Sequence, residues 1–192
     1  MVKILAFSGS ARKNSYNQKL VEIAAGGARR AGAEVTVINL ADFEMPIFNE
    51  DLEKKEGMPG TARDFKALLI AHDGFLIASP EYNSAFSPLL KNAIDWASRR
   101  EGDERPLLAY RGKLAAIMSA SPGALGGLRG LVFLRLLLSN IGVTVQPGQQ
   151  AIANAAKAFN DDGSLVDSTQ QDAVIDLGVN LAGTLAKLNS TG

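Results

Sequence analysis

Cysteine is absent from the 192 residues, and histidine occurs once, at His72. Without a thiol there is no disulfide, thiolate metal site, cysteine nucleophile or dithiol redox couple. One imidazole excludes a His-rich metal cage and leaves a single candidate for a His-dependent triad. No Gly-x-Ser-x-Gly elbow accompanies it, so a serine hydrolase is set aside. An excess of charge is missing too: 20 basic and 20 acidic residues give a formal net charge of +0. That argues against a nucleic-acid partner and against a strongly acidic electron carrier. Long hydrophobic runs are also lacking. The most apolar stretch, 131–138, is interrupted by Arg135 and falls far short of the ~20 residues a membrane span needs. Residues 1–7 enter a strand with no basic segment and long apolar stretch ahead of it, so no secretory leader is expected. The expectation is a soluble cytoplasmic protein with no membrane partner.

Strand-like and helix-like segments alternate from end to end. Apolar or β-branched runs predict strands over 4–7, 35–38, 74–78, 113–118 and 143–145. Helical spacing predicts helices over 15–31, 61–71, 88–99 and 126–140, with a last one after the Asp162-Gly163 turn. That last helix carries Val174, Leu177, Leu181, Leu185 and Leu188 on one stripe. Residues 42–60, rich in proline and acidic groups, read as a loop. The first strand is apolar without alternation, as in a strand buried on both faces. This alternation predicts a doubly wound α/β sheet in one domain spanning 1–192. Ligands in such sheets bind beyond the carboxyl ends of the strands, where strand order reverses. The loops after the first, third and fourth strands are therefore the places to search.

The first of these loops, residues 8–17, contains Gly9, Ser10, Arg12, Ser15, Tyr16 and Asn17 and opens straight into a helix. A helix N-terminus offers backbone N–H groups and a favourable dipole to a phosphate, and the serines, Asn17 and Arg12 add donors and charge. The same residue types also serve as ordinary helix caps, and the residues alone leave both readings open. Neither a Gly-x-x-x-x-Gly-Lys-Ser/Thr loop nor a Gly-x-Gly-x-x-Gly fingerprint occurs, which demotes nucleotide hydrolases and Rossmann dehydrogenases. In the second loop, Ser79-Pro80-Glu81-Tyr82-Asn83-Ser84-Ala85-Phe86-Ser87-Pro88, two prolines stiffen the chain. A stiff edge suits a planar ring system that must meet preset backbone groups; a plain turn into a helix is the alternative.

The segment Ser79-Pro80-Glu81-Tyr82-Asn83, followed by 89–96 (LLKNAIDW), resembles the signature of the NADPH-dependent FMN reductases. That family includes quinone, chromate and azo-dye reductases. The first loop is similar to the family's phosphate loop, and the likeness continues through Ser121-Pro122-Gly123 to Phe159-Asn160-Asp161-Asp162-Gly163. The resemblance implies a flavodoxin-like sheet of strand order 2-1-3-4-5. It implies FMN held at its phosphate by Ser10, Arg12, Ser15 and Asn17, with Tyr16 in the same turn. Pro80, Glu81, Tyr82 and Asn83 would line the isoalloxazine, and Ser119, Ser121 and Gly123 would meet its other edge. By the same implication, NAD(P)H is the co-substrate and reacts in ping-pong fashion. The acceptor is small: a quinone, a flavin, chromate, a ferric chelate or an azo compound. No acid–base pair or nucleophile stands out, as befits a site whose chemistry belongs to its cofactor. A flavodoxin-type electron carrier is the alternative, although that class has a markedly acidic surface.

His72 is expected at a helix C-terminus or on the surface, Asp161-Asp162-Gly163 as a turn, and Arg99-Arg100 in a solvated loop. Gly126-Gly127 reads equally as a ligand loop or as close helix–strand packing. The helix over 126–140 is apolar on nearly every side, and the one over 88–99 is rich in Leu, Ile and Trp. Both suggest a homodimer or homotetramer.

Overall fold

The structure, a computed structural model, describes residues 1–190. Strand β1 (Lys3–Ser8) is buried along its length after Lys3. Its alternate side chains serve two cores: Ile4 and Ala6 face one side of the sheet, Leu5 and Phe7 the other. It pairs in parallel with β2 (Glu34–Asn39) and with β3 (Gly74–Ala78). β6 (Leu114–Ala120) and β7 (Thr144–Ile152) complete a sheet of order β2-β1-β3-β6-β7. The order matches the expected one once a small hairpin, β4 (Glu81–Tyr82) and β5 (Ala85–Phe86), is set aside.

On one face lie α1 (Tyr16–Arg30) and α7 (Ser168–Ser190), packed with Leu20, Ala24, Val174 and Leu181 buried. The stripe on α7 ends at Leu185, for Leu188 is exposed. On the other face lie α3 (Gly60–Ala71), α4 (Pro88–Ser98) and α5 (Leu128–Asn140). A short α6 (Ala155–Ala158) precedes α7. At each border of the sheet an arginine occupies strand carbonyls. Arg29 donates to Val35 O at 3.1 Å on β2, and Arg135 donates to Val145 O and Gln146 O at 3.2 and 2.9 Å on β7. No helix among the described residues is long and apolar enough to cross a membrane.

Several expectations need correction. The 42–60 loop contains a helix, α2 (Glu50–Glu56), capped by Asn49 Oδ1 on the N–H groups of Asp51 and Leu52. It buries no residue, so it carries no apolar stripe to betray it. The last strand is nine residues long rather than three; its polar middle, 146–150, which contains Pro147, is tolerated because β7 is an edge strand with a register shift against β6. The apolar side chains of α4 are covered by this chain itself. Trp96 is fully buried against Met58 and Phe48, and its indole N–H donates to Pro46 O at 2.7 Å. Asn92 holds the same loop, donating to Pro46 O and accepting from Phe48 N–H. The Asn92 and Trp96 of the family-like signature thus pin the chain after β2. Arg99 is not simply solvated: its Nε donates to both Glu53 oxygens at 2.8 and 3.0 Å, and its guanidinium lies over Phe48. His72 is buried, bonded through Nδ1 to Leu68 O at 2.6 Å and through Nε2 to Thr36 Oγ1 at 2.9 Å. It sits at the C-terminus of α3, as expected, but is not exposed.

Candidate active site

The carboxyl ends of β1, β3 and β6 meet at a cleft of about 280 Å³. The first loop contributes Ser10, Arg12, Ser15, Tyr16 and Asn17 to its wall; Pro80, Glu81 and Tyr82 come from the second. Ala120, Ser121 and Pro122 close the third side. A larger depression of about 420 Å³ between Lys19 and Asp162 has no comparable convergence of donors. Chemistry rather than size selects the site.

Each loop is held by a bond that reaches across the sheet. Gly9 N–H donates to Ala78 O at 2.8 Å and Ser79 N–H to Met118 O at 3.0 Å, extending the ladders past the strands. Ser87 caps α4, accepting from Leu90 N–H at 3.2 Å, and also donates to Gly9 O. A Cβ on Gly9 would meet Ser87 Oγ at 2.7 Å and Leu90 Cβ at 2.9 Å, so only glycine lets the first loop lie against α4.

At the N-terminus of α1, Ser15 Oγ accepts from Gln18 N–H at 3.2 Å and Ser10 Oγ from Arg12 N–H at 3.4 Å. Both hydroxyl protons remain free to donate toward the cleft. The first-turn amides of α1 precede its hydrogen-bond ladder and add further donors. Asn17 behaves differently. Its Nδ2 donates to Ala120 O and its Oδ1 accepts from Ala120 N–H, both at 2.9 Å and buried. The carboxamide therefore fastens α1 to the end of β6, and only its second N–H is left for a ligand. Tyr16 stacks on Phe159, with centroids 5.6 Å apart and planes 14° apart, and Arg12 lies over the Tyr16 ring.

Glu81 also has a second attachment. Arg129 Nε and Nη2 donate to its Oε1 at 3.0 and 2.7 Å, and Gly130 N–H donates to Oε2 at 3.0 Å. The N-cap of α5 is Gly127, which has no side chain to offer, so Glu81 supplies the capping anion from another loop. Burial of this side chain, 8% exposed, would raise its pKa; the Gly130 N–H and Arg129 outweigh that and hold it below the ordinary glutamate range. Its carboxylate is therefore an anchor for the hairpin. The turn itself, Asn83-Ser84, has positive φ at both residues, 51° and 70°, the signature of a type I′ two-residue loop.

Three expected site residues stand off the cleft wall. Asn83 is exposed at the hairpin turn, and Gly123 is exposed on the third loop. Ser119 is buried, its Oγ unpartnered. A Cβ on Gly127 would come within 1.9 Å of that oxygen, and one on Gly126 within 2.7 Å of the β7 backbone. Gly126 and Gly127 serve close helix–strand packing, both at positive φ. Arg129, Gly130 and Ala120 were not singled out from sequence as partners of the site. They lie 48, 49 and 103 positions from the residues they hold, and no local pattern links them.

A parallel sheet of this order with a donor-lined cleft at its reversal point defines a flavodoxin-like protein built to hold a phosphate-bearing ligand. The chain belongs to the NADPH-dependent FMN reductase family, whose pattern matches residues 2–157. It is 36% identical over 175 residues to an NAD(P)H-dependent FMN reductase of Pseudomonas aeruginosa, covering 90% of this chain and 89% of that one. It is 34% identical over 169 residues to a quinone reductase of Pseudomonas putida, covering 84% and 83%. The solved structure of the flavoenzyme NAD(P)H:(acceptor) oxidoreductase FerB from Paracoccus denitrificans superposes with TM-score 0.81 at 26% identity, covering 97% and 98%.

Proposed function

We propose that this protein holds FMN in the cleft and passes electrons from NAD(P)H to small acceptors, quinones foremost. One observation carries the reading. Two serine hydroxyls, the first-turn amides of α1 and the Arg12 guanidinium converge at one end of a cleft whose other end is bounded by Pro80–Tyr82 and 120–122. That donor set fits a phosphate monoester, and the stiff, largely uncharged end fits a flat ring. The flavin, when bound, supplies the redox chemistry, accepting two electrons from NAD(P)H and releasing two to the acceptor.

The chain's own residues bind and orient. Ser10, Ser15 and Arg12 hold the phosphate, while Asn17 keeps α1 aligned with β6. The hairpin carrying Tyr82, fastened by Glu81, bounds the ring. The cleft, about 280 Å³, lies near the ~300 Å³ lower end of ligand pockets, and Tyr82 and Pro122 on its wall are exposed, so one side of a bound ring system stays open. Donor and acceptor then share that side in turn, which makes the kinetics ping-pong and the acceptor range broad: quinones, flavins, chromate, ferric chelates and azo compounds. The named relatives support the quinone part of this range. Replacing Arg12 and Ser15 together with alanine removes two charge-assisted contacts, and FMN affinity is expected to fall on the order of a hundredfold. The check is the visible spectrum of the purified double variant and its titration with FMN. Full colour and undiminished NADPH oxidation would refute the phosphate assignment.

We also propose that the chain pairs with a second copy through α5. Val132, Phe133 and Leu136 are about half exposed on one side of that helix, continuous with Leu125 and Leu128. A monomer seldom leaves so contiguous an apolar face in water. Light scattering should give twice the 20.3 kDa of one chain, and Phe133→Asp should reduce it to a single chain; a monomeric wild type would overturn the proposal.

A further inference from the structure

Phe159, just past residues 2–157 matched by the family pattern, packs behind a residue of the cleft wall, Tyr16. Phe159 stacks on Tyr16 with planes 14° apart. Tyr16 is the first residue of α1 and carries Arg12 over its ring at 5.6 Å. On the far side of the same chain of contacts, Lys19 lies over the Phe159 ring at 5.9 Å. Phe159 is itself held in a rigid turn. It bridges to Leu165, Asn160 N–H donates to Ser164 O at 2.8 Å, and Asp162 Oδ1 accepts from the Ser164 N–H and hydroxyl at 2.9 and 2.6 Å. The Phe-Asn-Asp-Asp-Gly segment therefore builds a support for one aromatic ring.

We infer that Phe159 is a positioning residue for the phosphate end of the cleft, acting through Tyr16 to hold Arg12 where the anion is bound. The inference rests on the FMN reading above. Arg12 is exposed, and a free arginine side chain has rotamer entropy to lose on fixing a ligand. Resting the guanidinium on a ring that is itself fixed removes part of that loss before the ligand arrives. The effect is expected at the phosphate, because the stack bears on Arg12 at the N-terminus of α1.

Titration of apoprotein with FMN and with riboflavin, which lacks the phosphate, tests this, read by quenching of flavin fluorescence. Phe159→Leu should keep the apolar packing but lose the ring stack. Its ratio of riboflavin to FMN dissociation constants is expected to fall about five- to tenfold. Phe159→Tyr should restore the wild-type ratio. Should the leucine variant fold poorly by circular dichroism, Tyr16→Leu breaks the same stack from the other side and should lower the ratio likewise. A ratio unchanged in folded leucine variants overturns the inference, as does an equal weakening of both flavins, which would mean a general disturbance of the cleft. Wild-type apoprotein that binds neither flavin would instead sink the FMN reading itself, a separate outcome.

Discussion

Glu104→Gln is expected to destabilise the protein by about 3 kcal/mol. Lys66, on α3, is 3% exposed. Its ammonium donates to Arg99 O at 2.8 Å and to the Glu104 carboxylate. An amide at position 104 would leave that buried charge facing only neutral oxygens. The loss lies at the lower end of what breaking a buried pair costs, because 29% of the Glu104 side chain meets solvent. The bond from Lys66, followed by that from Glu101 N–H, holds the Glu104 pKa below its ordinary value. The sign of the pH dependence follows. An unfolded glutamate takes its proton near pH 4.3, whereas the folded one still refuses it, so the stabilisation is complete above about pH 4.3 and drains away as pH falls toward the folded value. Urea midpoints measured from pH 7 to pH 3 should fall less steeply in Glu104→Gln than in the wild type. Parallel curves would show that the pair contributes nothing. Replacing both partners by Met and Leu should recover most of the loss at pH 7.

Gly178→Ala should cost a further amount of the same order, about 3 kcal/mol, at a position with no polar chemistry at all. A Cβ there would sit 1.9 Å from Ala24 O and 2.7 Å from Ala28 N. Both are backbone atoms and cannot swing aside, so α7 must lift from α1. For a chain of this size the melting temperature should drop roughly 6–12 °C. FMN binding should weaken with it, since α1 carries the phosphate end of the proposed site. The control lies one and a half turns away on the same helix: Gly183 has nothing within 4 Å of its Cβ position. Gly183→Ala is expected to stabilise by about 0.5–1 kcal/mol through helix propensity. Calorimetry on the two variants separates the cases, and equal shifts would remove the close crossing from the account.

The same pair of glycines marks how far the sequence could be read. Gly178 and Gly183 are indistinguishable as letters in a helical pattern, because what separates them is the approach of another helix. The strands buried on both faces, such as β1, announce themselves as apolar runs, whereas the polar middle of β7 and the charged α2 lack the periodicity that would expose them. In the cleft, the loops themselves were legible because donors cluster locally before a helix. What was not legible is how they are used. Asn17 turned out to be bound on both sides by Ala120, and Glu81 to cap a helix that begins 47 residues later. Those partnerships exist only once the sheet has brought distant segments together.

The two arginines on the sheet borders have a consequence for behaviour at high concentration. An edge strand with free carbonyls is a template on which another chain's strand can polymerise, the first step toward fibrillar aggregates. Arg135 occupies two of those acceptors at β7, beside a proline that cannot donate, and Arg29 occupies one at β2. In crowded solutions these blocked acceptors are expected to disfavour strand addition at both borders.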